Sequence, residues 1–293
     1  MSKVSTITAI LCNYNGAAYL QEAIDSVINQ TRLPEEFIIV DDASTDSSKE
    51  IIRKVTQRNP ALIKFIEHPQ QRGQAAGFNT AASASTGDLL AFLDSDDLWF
   101  PQKLERMQHK SMNCPGFGLL QHNLQILQGR ELLAEPVMPG LVVGDAFELW
   151  QRYQTFPNFV PTSGLMVRKA IFEQIGPIPE TLRISADSFL TRAAISLGPV
   201  ESTLDCLGAY RRHAQNNVAG NSKHDSWQFF LKNVSPRLAE FYERTGRPLP
   251  RHIQMPTSSK LSNGRFFNPI LDLSPRRVLR VLKKWTRTGE SSK

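Results

Sequence analysis

The first 110 residues alternate short, almost wholly apolar runs with stretches of helical periodicity, and few folds accept that pattern. Residues 5–11, 37–40, 62–66 and 89–93 are apolar runs of strand length. Leu20, Ala23, Ile24, Val27 and Ile28 recur at helical spacing and predict a first helix. Ile51, Ile52 and Val55 predict a second, behind the start signal Ser44-Thr45-Asp46. Residues 73–85 read as an Ala-rich third helix, and Pro101 as the first residue of a fourth. Strands that are apolar throughout are buried on both faces, so the expectation is α/β with a parallel sheet. Ligands of such sheets bind beyond the carboxyl ends of the strands. The polar clusters fall at those ends: Asn13-Tyr14-Asn15, Asp41-Asp42 and Asp94-Ser95-Asp96-Asp97.

The texture then changes. Residues 111–215 carry Pro136, Pro139, Pro157, Pro161, Pro177 and Pro179, and predict irregular loops with a few strands closing over that edge. Residues 216–293 predict a helical, basic C-terminal appendage. Trp227, Phe230, Leu231, Val234, Leu238 and Phe241 have helical spacing there, with Pro236 expected to kink or divide the helix. The 293 residues are 41% hydrophobic and 21% charged, which excludes a disordered chain. No stretch approaches the roughly 18–20 apolar residues that span a bilayer. The chain enters strand-like sequence at once, so no secretory leader is expected. Cys12, Cys114 and Cys206 are widely spaced, fit no zinc pattern and read as reduced thiols, which points to the cytoplasm.

The net charge of +6 is local. Seven of the 34 bases and one of the 28 acids lie in 275–293, leaving 27 of each elsewhere. A basic pI confined to the tail argues against a nucleic-acid partner for the main body. On a helical wheel, Val278, Val281, Leu282 and Trp285 gather opposite Arg276, Arg280, Lys283, Lys284 and Arg287. Residues 276–287 therefore suit either peripheral contact with an anionic membrane at its inner face or packing on the main body with a solvated basic side.

Asp94, Asp96 and Asp97 place three carboxylates within four residues after a buried strand. They repel unless a cation or strong donors sit between them. Mg²⁺ or Mn²⁺ takes oxygen ligands and commonly combines one or two carboxylates with substrate phosphates. An Asp-x-Asp at a strand end is thus a candidate metal–diphosphate clamp, or else a solvated acidic turn. Asp41-Asp42 at a neighbouring strand end adds carboxylates able to accept a base N–H or bond a ribose hydroxyl.

Five stretches, in order, resemble glycosyltransferase family 2: ITAILCNYNGAAYLQEAIDSVINQT, EFIIVDDASTDSS, RGQAAGFNTAASASTGDLLAFLDSDDLWFPQKLERM, TSGLMVRKAIFEQIGPIPETLRISADSFLTRAA and LGAYRRH. The resemblance covers residues 4–213. It implies the GT-A fold, a Rossmann-like nucleotide-binding domain with a mixed, mostly parallel sheet. Residues 1–110 would form the nucleotide-sugar half, 111–215 the acceptor half and 216–293 the appendage. It implies an aromatic against the base at Tyr14, a uracil-reading carboxylate at Asp42 beside Asp41, and Asp94 at the ribose. Asp96 would hold the metal, with Asp97 as a shifted alternative. His213 matches a metal ligand of some relatives, or is a loop-bonded surface histidine. Asp187 matches the general base, with Ala186 where the family more often has an acid. Phe78 stands where many members carry an arginine, and Arg72 is the candidate substitute.

The activity so implied is an inverting, metal-assisted transfer of a sugar from a nucleotide diphosphate, a UDP-sugar first, to a hydroxyl of a glycan or lipid-linked acceptor. The departures at Ala186 and Phe78 leave room for a degenerate binding module. A sugar nucleotidyltransferase would need a basic, Gly-rich phosphate loop where Cys12-Asn13-Tyr14-Asn15-Gly16 stands. A dinucleotide oxidoreductase would need Gly-x-Gly-x-x-Gly there.

Overall fold

The apolar runs pair side by side in the computed structural model, which describes residues 4–153, 157, 159–214, 216, 228–248 and 250. β1 (Ile7–Asn13), β2 (Glu36–Asp41), β3 (Ile63–Glu67) and β4 (Leu89–Asp94) run parallel in the order β3-β2-β1-β4. Side chains alternate across a strand. In β1, Ile7, Ala9 and Leu11 join one core and Ile10 the other. Both faces are covered, which is why these strands are apolar at successive positions. α1 (Ala17–Ile28) and α2 (Ser48–Arg58) cover the first face with Leu20, Ile24, Ile52 and Val55. α3 (Gln74–Ala84) covers the second with Ala75, Phe78 and Ala81. The register sets Cys12 level with Val40 and with Asp94, so the polar ends of β1, β2 and β4 share one edge.

The second half extends the same sheet. β5 (Leu98–Trp99) and α4 (Lys103–Asn113) lead to β6 (Leu119–Gln128) and β7 (Glu131–Pro136). α5 (Ala146–Tyr153), a 3₁₀ turn (Thr162–Gly164), β8 (Leu165–Arg168), α6 (Lys169–Ile175), α7 (Ala186–Ile195) and β9 (Val200–Arg212) follow. The full order is β3-β2-β1-β4-β8-β6-β9-β5, with β7 on β6. β8 is antiparallel to β4 with Ala91 opposite Met166, and β6 is parallel to β9. This region is more regular than its sequence suggests. β6 carries Gln121, His122 and Asn123, all essentially buried, and they break its apolar pattern. Their amides are satisfied internally: Gln121 donates to Ser202 Oγ at 3.0 Å and Asn123 to Met138 O at 2.6 Å.

Two prolines behave differently from the sequence expectation. Pro101 lies in a turn ahead of α4, which starts at Lys103, and its carbonyl accepts the Thr31 N–H at 2.8 Å. Pro236 does not divide its helix. A π turn (Phe230–Val234) runs directly into α8 (Ser235–Arg244), and Pro236 sits in the first turn of α8, where a missing N–H costs little. Phe230, Val234, Leu238 and Phe241 are buried in the core that contains α7, so this segment is packed into the fold. Trp227 and the basic stretch 276–287 lie outside the described residues.

Candidate active site

At the end of β2 the two aspartates part. Asp41 is fully buried. It accepts from Asn13 Nδ2 at 2.8 Å, from Ser44 N at 2.8 Å and from Ser44 Oγ at 2.7 Å. It closes the turn after β2 from inside the fold. Asp42 points toward α3. Its Oδ1 lies 2.7 Å from His68 Nδ1 and accepts the Arg72 N–H at 2.8 Å, while Oδ2 accepts the Gly73 N–H at 2.7 Å. Oδ1 is fully engaged and Oδ2 keeps a spare lone pair, but the first duty of both is to hold the loop entering α3. Tyr14, at the end of β1, is 45% exposed with its ring open to a ligand. The Arg72 guanidinium pairs with Glu180 at 2.6 Å on the surface. Phe78 is buried against Phe92, 4.8 Å between ring centroids, so no cation takes that position.

Beyond β4 the turn 94–97 is held from three sides. Asp97 is 1% exposed. Its carboxylate accepts Ser163 Oγ–H at 2.6 Å and the Arg211 N–H at 2.8 Å. Burial first, and Asp96 second, push its pKa up to about 8. This carboxylate is turned inward and engaged at both oxygens, and so holds the turn from within the fold. Asp94 and Asp96 stay partly open. Burial, followed by the charges of Asp97, Asp96 and Asp187, raises the Asp94 carboxyl well above the usual range. Asp187 therefore stands within electrostatic reach of Asp94, although 93 positions separate them. Asp96 Oδ2 is 2.9 Å from His213 Nε2. The His213 ring lies against Tyr19, with centroids 4.7 Å apart.

Among the described residues, no group of three or more His, Cys, Asp or Glu side chains is arranged to hold a metal. The Asp96 carboxylate and the His213 imidazole share one hydrogen bond, and a cation bound there would take the place of its proton. Oxygen and imidazole donors of this kind suit Mn²⁺ or Mg²⁺ when substrate phosphates complete the shell. The fit therefore depends on a diphosphate.

Asp187 is in the first turn of α7, where the helix dipole favours a negative charge. Burial nonetheless raises its pKa, opposed by the Ser188 N–H and by Arg192. It opens on a cavity of about 160 Å³ lined by Pro157, Phe159, Val160, Asp187, Ser188, Thr191 and Arg192. The residue before the helix, Ser185, is left-handed at φ 59°. Non-glycine residues held there cost about 1–3 kcal/mol and cluster at functional sites.

Several supporting residues gave no sequence signal as single letters. Ser163 bridges Asp94 and Asp97. Arg211 donates its Nε–H to Asp96 O at 2.8 Å and pairs with Glu22 at 2.6 Å, its guanidinium lying over Tyr19. Gln74 reaches the start of α7. Each lies inside a motif stretch, and only the three-dimensional pairing reveals its task.

Residues 8–113 match the family described as Glycosyl transferase family 2. An uncharacterized glycosyltransferase of Nostoc sp. is 37% identical over 72% of this chain and 66% of its own length. An Escherichia coli protein named UDP-Glc:alpha-D-GlcNAc-diphosphoundecaprenol beta-1,3-glucosyltransferase is 31% identical over 45% of this chain and 51% of its own length. The chain thus spans about half to two thirds of these two relatives. The crystal structure of Staphylococcus aureus TarS 1–349 in complex with UDP-GlcNAc superposes with a TM-score of 0.62 at 20% identity, covering 80% of this chain and 66% of that one. At that identity the likeness is one of fold, and the fold is GT-A.

Proposed function

The chain belongs to glycosyltransferase family 2, and from that premise we propose that it transfers a sugar from a nucleotide diphosphate, a UDP-sugar first, to a hydroxyl of a glycan or lipid-linked acceptor. The observation that carries this reading is that Asp187, in the first turn of α7, lies near enough to Asp94 at the end of β4 for its charge to act on that carboxyl. The E. coli relative is named for a UDP-Glc donor and a diphosphoundecaprenol-linked acceptor, and TarS was crystallised with UDP-GlcNAc. Both support a UDP-sugar here and a place in polysaccharide or cell-envelope assembly.

Tyr14 offers its ring to the base, and Asp42 the remaining lone pair of Oδ2 to the base imide N–H. Arg72 sits at the same rim. Asp94 accepts from the ribose. Asp96 and His213 would hold a divalent ion, Mn²⁺ or Mg²⁺, which when bound stabilises negative charge on the departing diphosphate. Asp187 takes the acceptor hydroxyl proton as the oxygen attacks the anomeric carbon and the bond to the diphosphate breaks. Its raised pKa makes it a stronger base than an ordinary carboxylate. One base and one displacement invert the anomeric centre. Binding donor and acceptor together beside Asp187 removes much of the entropic barrier.

No helix among the described residues is long and apolar enough to cross a membrane. We place the enzyme in the cytoplasm, with 276–287 as its candidate contact to the inner membrane face. Calorimetry of UDP, GDP, dTDP and CDP, with and without Mn²⁺, tests the donor assignment. Metal-dependent UDP binding that vanishes in Asp96→Ala is the expected result. Folded protein that binds none of the four would overturn the enzyme reading.

A further inference from the structure

An α-helix begins with N–H groups that have no partner inside it. Ser185, ahead of α7, makes no capping bond with its side chain and is held in the left-handed region. The missing acceptor comes from far away in sequence. Gln74 Oε1 takes the Ala186 N–H at 2.9 Å, across 112 positions. Gln74 is the first residue of α3, and its own N–H donates to Arg183 O at 2.9 Å. Gly73 before it approaches so closely that a Cβ would stand 2.5 Å from Arg183 Cα. One turn along α3, Asn79 exchanges two hydrogen bonds with the Ile178 backbone, both 2.8 Å. The start of α3 is in turn held by Asp42, through the Arg72 and Gly73 N–H groups. The approach to α7 is thus fastened to α3 along its length, and Gln74 is the last tie before the helix.

We propose that Gln74 is a positioning residue for the catalytic carboxylate: its side-chain amide fixes the first turn of α7 and so aims Asp187 at the acceptor hydroxyl. This rests on the reading of Asp187 as the base. Asp187 is the residue immediately after the bonded N–H. Without that bond, the strained backbone at Ser185 is free to relax, and the first turn moves with it. A displacement of about 1 Å at a reacting group is enough to cost roughly 100-fold in rate. The same tie connects the base to the donor side, because the loop that carries Gln74 is anchored on Asp42.

Gln74→Met keeps the length and removes the acceptor. Gln74→Glu keeps an acceptor oxygen, with a charge that suits a helix N-terminus. The full-length chain is assayed with Mn²⁺ for UDP release from UDP-glucose and UDP-N-acetylglucosamine, and amide hydrogen exchange is followed over 183–190. The expected result for Gln74→Met is a kcat lower by roughly 10- to 100-fold, with KM for the donor within about twofold of wild type. Exchange over 183–190 should quicken while α1 stays as it was, and Gln74→Glu should approach wild type in both measurements. Unchanged exchange in Gln74→Met overturns the proposal whatever the turnover. Equal loss in both variants also overturns it, since the side chain would then act through packing. Asp187→Asn turning over at the wild-type rate would remove the base assignment instead, and the exchange result would still decide whether Gln74 holds the helix.

Discussion

Ser163 Oγ donates to Asp97 Oδ2 at 2.6 Å, and the same oxygen accepts the Asp94 N–H at 3.1 Å. One hydroxyl therefore joins the 3₁₀ turn to both ends of the 94–97 turn. Ser163→Ala leaves a buried carboxylate oxygen and a backbone donor without this partner. That costs about 1–3 kcal/mol, or about 2–4 °C in Tm for each kcal/mol in a domain of this size. Calorimetric melts of the two proteins measure it, and an unchanged Tm would refute the bridging role.

Asp97 also makes stability depend on pH. Its folded pKa of about 8 lies above the ordinary carboxylate value. The folded chain therefore holds a proton that the unfolded chain has lost, throughout the interval between the two. Stability contributed by this group is full below the ordinary carboxylate pKa, falls as pH rises toward 8, and is level above it. Asp97→Asn retains an oxygen for the Arg211 N–H and removes the ionisation. Urea midpoints at pH 5.5, 7.0 and 8.5 should decline less for Asp97→Asn than for wild type. A steeper decline in the variant would contradict the assigned shift.

Asp187→Asn keeps the shape of the first turn of α7 and removes the base. Loss of a positioned general base costs roughly 10²–10⁴-fold in turnover, so transfer should fall by that factor while UDP affinity is retained. In the wild type, activity should drop as pH falls through the Asp187 pKa. Because burial raises that pKa, the acid limb should sit above the ordinary carboxylate range. Lost UDP binding in Asp187→Asn would make the residue a donor ligand instead.

His213 lies on Asp96 and against Tyr19. If it shares a cation with Asp96, His213→Ala should raise the Mn²⁺ concentration for half-maximal activity by about 10- to 100-fold, the range typical of lost metal-site partners. Saturating Mn²⁺ should recover most of the rate. An identical Mn²⁺ titration in wild type and variant would leave His213 as a support for the loop.

The legibility of the chain follows from which interactions leave a pattern in one dimension. β1, β2 and β4 are readable because burial on both faces fills most of their positions with apolar residues, and their carboxyl ends mark the site. β6 is not, because Gln121, His122 and Asn123 are buried polar groups, and the two amides among them are satisfied by partners as distant as Ser202. The aspartates were legible as a group but not as individuals. Asp41 and Asp42 are adjacent, and only the fold shows that one closes a turn on Ser44 while the other anchors the loop at Gly73. Asp96 and Asp97 separate in the same way, one open and one buried. Gln74 and Ser163 act through single hydrogen bonds across long loops, and such bonds have no local signature.

Lys103 makes the last case. It is the first residue of α4 and is fully buried, and among the described residues its Nζ finds no hydrogen-bond partner. The Trp99 ring lies 3.3 Å from Nζ to the centroid. A cation at a helix N-terminus opposes the dipole, and burial drives the ammonium pKa well below the usual value. The unfolded chain thus binds a proton that the folded chain gives up. Stability from this group is lowest at acid pH and rises with pH toward the ordinary lysine value. Lys103→Met fills a similar volume without a charge to desolvate. It should raise Tm by several degrees at pH 7, and more at pH 5.5, although it gives up a cation–π contact worth about 0.5–2 kcal/mol when the amine is charged. Melts at the two pH values decide the matter. A lower Tm for Lys103→Met at both would mean that the amine has a stabilising partner, and that its burial is not the liability its surroundings indicate.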